Sequence, residues 1–180
     1  MWAMIRSNPY EAVFEAYLRE RRLGYIAVDE AKRTLLGETD VKSPDFVVLA
    51  SPDCKLVVDV KGRKFPSGKA GSPSSWQCWT EEEDVDGLSR WATHFGPNCR
   101  AVLAFLYHIQ PPYVLPAGTP DYFRFKDQRY LLRGVDVADY REHMRVRSQR
   151  WHTVHLPSAA FRSCVKPFSH FVVPPVHAPA

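Results

Sequence analysis

A mixed α/β fold, with a central mixed sheet flanked by helices, is what this sequence predicts, and three observations carry it. Two segments have helical apolar periodicity and clear capping signals. A third pairs two strand-like runs, Pro44 to Ala50 and Lys55 to Lys61, across the turn Ser51-Pro52-Asp53-Cys54. Between Arg100 and Ile109 the run RAVLAFLYHI is long enough and apolar enough for a strand covered on both faces. The order helix, strand, hairpin, helix, strand then fits one sheet with helices packed on it.

The first helix is expected from Pro9 to about Arg22. Asn8 suits the N-cap, Pro9 the first helical position, and Glu11 the N3 position of a capping box. Val13 and Tyr17, with Phe14 and Leu18, supply its buried stripe, and Gly24 ends it. Tyr25 to Val28 reads as a short strand. In the hairpin, Leu56, Val58 and Val60 share one face, and Val57, Asp59 and Lys61 the other. Lys64 to Ser75, rich in Gly, Ser and Pro, reads as a mobile loop. Thr80 and Glu83 form a capping box for a second helix with Leu88, Trp91, Ala92 and Phe95 on its apolar face, stopped by Gly96-Pro97. Strands follow at Tyr122 to Phe125 and Tyr130 to Gly134, then a helix capped by Asp136 through about Arg145, and a strand from Trp151 to Leu156.

The chain has 180 residues, 45% of them hydrophobic, which suits one domain over 1–164. Its core spans about 6–110, an α/β extension 111–164, and a Pro-rich tail 165–180. The net charge of +4 permits contact with phosphates without demanding it. Four separated cysteines form no C-x-x-C pair, which argues against a zinc ribbon and for reduced thiols in a cytoplasmic protein. The first residues lack the apolar core of a signal peptide, and the longest apolar run is far shorter than the roughly 20 residues that span a bilayer, so no membrane association is expected.

Chemistry gathers at the hairpin. With the turn centred between Pro52 and Asp53, Asp45 faces Val60 across the ladder; a loop one residue different puts it opposite Asp59 or Lys61. Cross-strand neighbours are roughly 5 Å apart, so two carboxylates and an ammonium converge. Asp is a poor strand former, and its place in KLVVDVK wants a reason. Two carboxylates with waters suit a hard cation such as Mg²⁺ or Mn²⁺, and Lys61 beside them suits an attacking water or growing phosphate charge. The plain alternative is a surface ion pair.

Pro44-Asp45 followed by Asp59-Val60-Lys61 resembles the PD-(D/E)XK nuclease pattern of Holliday junction resolvases and restriction-type endonucleases. Pro9-Tyr10-Glu11-Ala12-Val13-Phe14-Glu15 is similar to the HYExAFE motif of an uncharacterised family in that group, with Pro9 in place of His and Val13 in place of Ala. The resemblance covers roughly the first 110 residues. It implies a restriction endonuclease-like core (α-β-β-β-α-β) with a C-terminal extension, and a Mg²⁺- or Mn²⁺-dependent nuclease acting on nucleic acid, DNA foremost. The implied catalytic residues are Asp45, Asp59, Lys61 and Glu15, and the implied metal set is Asp45, Asp59, Glu15, Glu11 and Val60. Of the helix glutamates, Glu11 has a capping role and Glu15 none, which favours Glu15 slightly. Resolvases of this kind act as dimers, so a homodimer is a further expectation. A domain that binds nucleic acid or protein without catalysis is the alternative.

Weaker candidates for nucleic-acid contact are Arg63, Lys64 and Lys69 after the hairpin, and Gln77 before the second helix. Arg141, Arg145, Arg147 and Arg150, beside Trp151, form a basic run that suits either phosphates or the end of a helix.

Overall fold

The apolar run at 100–109 becomes the middle of the sheet. The computed structural model describes residues 8–28, 34–36, 39–67 and 75–172. In chain order the elements are α1 (Pro9–Glu20), β1 (Gly24–Ala27), β2 (Thr34–Leu36), β3 (Thr39–Val41), β4 (Phe46–Ser51), β5 (Cys54–Phe65), β6 (Thr80–Glu81), α2 (Glu82–Phe95), β7 (Cys99–Ile109), β8 (Tyr122–Phe125), β9 (Gln128–Asp136), α3 (Val137–His143), β10 (Arg145–Ser148), β11 (Thr153–His155), α4 (Ser158–Cys164), β12 (Lys166–Pro167) and α5 (Ser169–Val172). The main sheet runs β1-β4-β5-β7-β9-β12, with β8 on β9. Strands β5 and β7 are parallel and joined through α2, while the other pairs are antiparallel. This is the mixed sheet flanked by helices that the sequence predicts.

Each face of the sheet carries its own core. Val13, Phe14, Tyr17 and Leu18 of α1 pack with Leu56, Val58 and Val60. Val85 and Leu88 of α2 pack on the other side with Val57, Leu103 and Phe105. The alternation along β5 therefore separates the helices, as period-2 side chains must. Gly62 admits the α1 layer: a Cβ there would lie 2.1 Å from the Tyr10 ring.

Several boundaries differ from expectation. Helix α1 stops at Glu20, before Gly24, with Arg22 in the left-handed region at φ 56°. Strand β5 continues to Phe65, so the expected loop starts later; residues 68–74 lie outside the described residues. Helix α3, capped by Asp136, ends at His143, and Arg145–Ser148 is strand β10 rather than the helix end. The expected strand from Trp151 is a turn as far as His152, with β11 after it. The tail expected from residue 165 is folded at least to Val172: β12 pairs with β9, and Phe168, Phe171 and Val172 are buried against the α1 layer. Among the described residues no helix is long and apolar enough to cross a membrane.

Candidate active site

Strand β5 brings the first two groups. The β4–β5 hairpin has an irregularity between Leu49 and Ser51, so beyond it paired residue numbers sum to 104, as in Phe46↔Val58. The pairing stops at Phe46↔Val58, so Asp45 lies outside the ladder that the turn count assumed. Asp45 is the residue just before β4. Its N–H donates to the Val58 carbonyl at 3.0 Å, and its Oδ2 accepts the Val60 N–H at 2.6 Å. The carboxylate thus takes over from the β4 backbone where the ladder ends. Val60 enters the site through this N–H; its side chain belongs to the opposite core.

Asp59 and Lys61 are two apart on the α2 face, and Lys61 Nζ lies 2.7 Å from Asp59 Oδ2. Asp59 is buried, and Lys61 is the charged partner of its Oδ2. Burial pushes the Asp59 carboxyl above the usual carboxylate range; Lys61 opposes this and Asp84 adds to it.

Asp84 completes the group and was missed in the sequence. It reads there as one more acid in the first turn of a helix, like Glu82 and Glu83. Its Oδ2 lies 2.7 Å from Lys61 Nζ and accepts from Thr80 Oγ1 at 2.6 Å and from the Glu81 N–H at 3.1 Å. Lys42 pairs with the other oxygen, Oδ1. Burial would push this carboxyl up, but Lys61 and Lys42 outweigh it and hold Asp84 at about 2. The helix box is therefore Glu81–Asp84, one residue later than the expected Thr80–Glu83, because the two ammoniums and Thr80 fix the Asp84 carboxylate at N3. Lys42 gets there because its backbone lies on α2: its carbonyl accepts from Trp91 Nε1 at 3.0 Å, and a Cβ on Gly87 would lie 3.0 Å from that oxygen. For Lys61, burial works against the ammonium, yet Asp59 and Asp84 raise its pKa above the ordinary lysine value.

The helix glutamates come from across the sheet. Glu15 accepts from Arg19 at 2.8 Å and from the Tyr25 hydroxyl at 2.7 Å, which holds it toward the β1 edge. Glu11 is buried, with 6% of its surface exposed, one residue after the Tyr10 that packs on Gly62. Among the described residues no three acidic, His or Cys groups are gathered as a metal cage. Asp45 and Asp59 are each 3% exposed, Asp45 at the end of the ladder and Asp59 on β5, and a cation that takes one or two carboxylates and keeps its waters needs no larger cage.

The weaker candidates separate. Arg63 is built in: it donates to the Gly62 and Trp79 carbonyls, and its guanidinium lies 4.0 Å from the Trp79 ring centroid. Burial lowers its pKa. Lys64 is exposed beside His108, while Lys69 lies outside the described residues. Gln77 gives its carbonyl to the Tyr107 hydroxyl at 2.9 Å and lines a separate 670 Å³ cavity with Trp79 and Arg147.

A solved structure resolves the fold. The chain is similar to Hjc, a Holliday junction resolvase from the archaeal hyperthermophile Archaeoglobus fulgidus, at 12% identity and a TM-score of 0.53, over 91% of this chain and 97% of that one. The fold is restriction endonuclease-like. No family model and no curated protein matches the chain.

Proposed function

We propose that this chain is a divalent-metal-dependent nuclease that hydrolyses phosphodiester bonds in nucleic acid, DNA foremost, and that it belongs with the HYExAFE group of the PD-(D/E)XK nucleases. The observation that carries the reading is the Asp59–Lys61 pair, an ammonium 2.7 Å from a buried carboxylate whose pKa burial pushes up, on the strand whose Val60 N–H donates to the buried Asp45, in a nuclease-type fold. A buried carboxylate whose ionisation is still opposed by desolvation gains from a cation brought beside it.

Asp45 and Asp59 are the residues to hold Mg²⁺ or Mn²⁺, with Glu11 as the contribution of the helix. When bound, such a cation lowers the pKa of a water and neutralises charge on a phosphate. Lys61 does the remaining work as a fixed cation. Two carboxylates keep it protonated, so it donates hydrogen bonds to the attacking water or the phosphate oxygens rather than accepting a proton. Asp84 is a positioning residue, holding Lys61 while Thr80 and Lys42 hold it. The resolvase likeness supports branched DNA as a substrate to test and a homodimer as the state to look for.

A second reading, nucleic-acid binding without catalysis, has its own observation: Asp59, Asp84, Lys42 and Lys61 balance in charge without a metal. Labelled single-stranded, duplex and branched DNA and RNA, incubated with Mg²⁺ or Mn²⁺ and with EDTA, separate the two. Metal-dependent cleavage lost in Asp59→Asn supports the nuclease; binding with no cleavage under any metal removes it.

A further inference from the structure

We infer that the β10–β11 hairpin is a nucleic-acid-binding arm that takes a single strand, holding its phosphates with Arg145, Arg147 and Arg150 and stacking a base on Trp151. The inference deepens the nuclease reading and rests on it for the direction in which the strand leads.

The arm is rooted at the candidate site. Strand β11 pairs with β6, Thr153↔Glu81 and Val154↔Thr80, and Thr80 is the residue that holds Asp84. At the turn, the Glu82 N–H donates to the His152 carbonyl at 2.9 Å, which ties the tip of the hairpin to the start of α2. A strand lying along the arm is thereby led toward Asp59 and Lys61.

What the arm presents is unusual for a surface ribbon. Arg145, Val146, Arg147, Gln149, Arg150, Trp151 and His152 are all exposed. Val146 and Trp151 expose 65% and 66% of their surfaces. A Trp this exposed contributes little to the core; the Arg150 guanidinium lies over one face of its ring, 5.1 Å from the centroid, and a base can stack on the other.

The charges are also uncompensated. Arg19, Arg21, Arg100 and Arg141 are each spent on a carboxylate. Among the described residues no carboxylate pairs with Arg145, Arg147 or Arg150. Arg147 is held in place without losing charge, 4.8 Å from the Trp79 ring centroid. In the order β10-β11-β6, β10 is the outer strand, the one not paired with β6 and its Glu81. Cations on an edge with an aromatic at the turn match a phosphate backbone with a splayed base. In a duplex the base faces are stacked inside and beyond the reach of Trp151.

The test is anisotropy in EDTA, so that cleavage plays no part, with labelled single-stranded DNA, single-stranded RNA of the same sequence, and the DNA duplex. Wild type binds one or both single strands more tightly than duplex, and the tighter of DNA and RNA names the source. Arg145→Glu with Arg150→Glu weakens single-strand binding at least about tenfold and flattens its salt dependence. Trp151→Ala weakens single-strand binding by about 5- to 150-fold and duplex binding less. Both variants change exposed side chains, and an unchanged circular dichroism spectrum and melting point show that the fold is kept. Equal wild-type affinity for single strand and duplex, or variants that bind like wild type, overturns the arm. Arm-dependent binding in a protein that cleaves nothing with Mg²⁺ or Mn²⁺ keeps the arm and removes the nuclease. Cleavage that is indifferent to the arm variants does the reverse.

Discussion

Asp121 and Asp59 are both buried aspartates, and their surroundings differ in kind. Asp121 accepts from the Tyr17 hydroxyl at 2.9 Å and the Ser169 N–H at 2.7 Å, and pairs with Arg21 at 3.0 Å. It joins α1, the approach to β8 and the start of α5, and sits in the left-handed region at φ 55° to do so. Every demand of that carboxylate is met by the protein. Asp59 has one ammonium, Lys61, which it shares with Asp84, and burial still holds its carboxyl above the usual range. A carboxylate met by three donors holds a fold together; one whose ionisation burial still opposes has charge left for a cation.

The largest expected effect tests the carboxylate met by three donors. Asp121→Ala leaves the Tyr17 hydroxyl, the Ser169 N–H and Arg21 without their partner, and should cost about 3–5 kcal/mol of unfolding free energy in urea. Activity per folded molecule should be unchanged. A loss no greater than that of a surface substitution would erase the distinction.

Lys61→Ala tests the other member. Cleavage should fall by about 10²- to 10³-fold while calorimetric Mg²⁺ or Mn²⁺ binding persists, since lysine is no ligand for a hard cation. Asp59→Asn should lose metal affinity and activity together. Full activity in Lys61→Ala would reduce the ammonium to a structural counter-charge for Asp59 and Asp84.

Acid sharpens the comparison within the site itself. Asp84 is held at about 2, below the ordinary 3.8, so its ionised form stabilises the fold. That contribution is present above about pH 4 and is lost as pH falls toward 2, on the order of 2 kcal/mol. Asp59 is shifted upward, so its ionised form costs stability, and acid removes that cost. In metal-free buffer, Asp84→Asn should lower stability at neutral pH and flatten the acid limb, whereas Asp59→Asn should hold or raise stability. Denaturation midpoints across that pH range decide it.

The parts of this arrangement that were legible in the sequence are those fixed locally. The unbroken apolar run of β7 demanded cover on both faces, and the Pro52-Asp53 turn demanded a hairpin with Asp59 and Lys61 opposite the Leu56, Val58, Val60 face. The register needed one more fact, the irregularity between Leu49 and Ser51, which no local signal announces. Asp84 and Lys42 were illegible for a different reason: they reach Lys61 only because α2 docks on β5 and Lys42 on α2. An acid in the first turn of α2 is all the signal the sequence carried for Asp84, and Glu82 and Glu83 carry the same one. Arg145 and Arg147 lie beyond a helix that ends early, and Phe168 and Phe171 beyond a stretch whose prolines disguise a short helix packed on the core.

The smallest expected effect separates the two glutamates of α1. On sequence alone Glu15 was the favoured ligand, because Glu11 had a capping role to explain it. The structure gives Glu15 work of its own: its Oε1 bonds Arg19 one turn on and Tyr25 on β1, the strand at the far edge of the sheet from β5's partner β7. Glu11 is the buried one, in the turn that crosses β5 at Gly62. An exposed i,i+4 ion pair contributes little and is screened by salt. Glu15→Gln should therefore leave cleavage and metal affinity at the wild-type level and barely move the melting point. Glu11→Gln should weaken metal binding measurably by calorimetry. The reverse order, with Glu15→Gln the more damaging, would mean that α1 turns its other face to the metal and that the Arg19 and Tyr25 contacts give way when a cation binds.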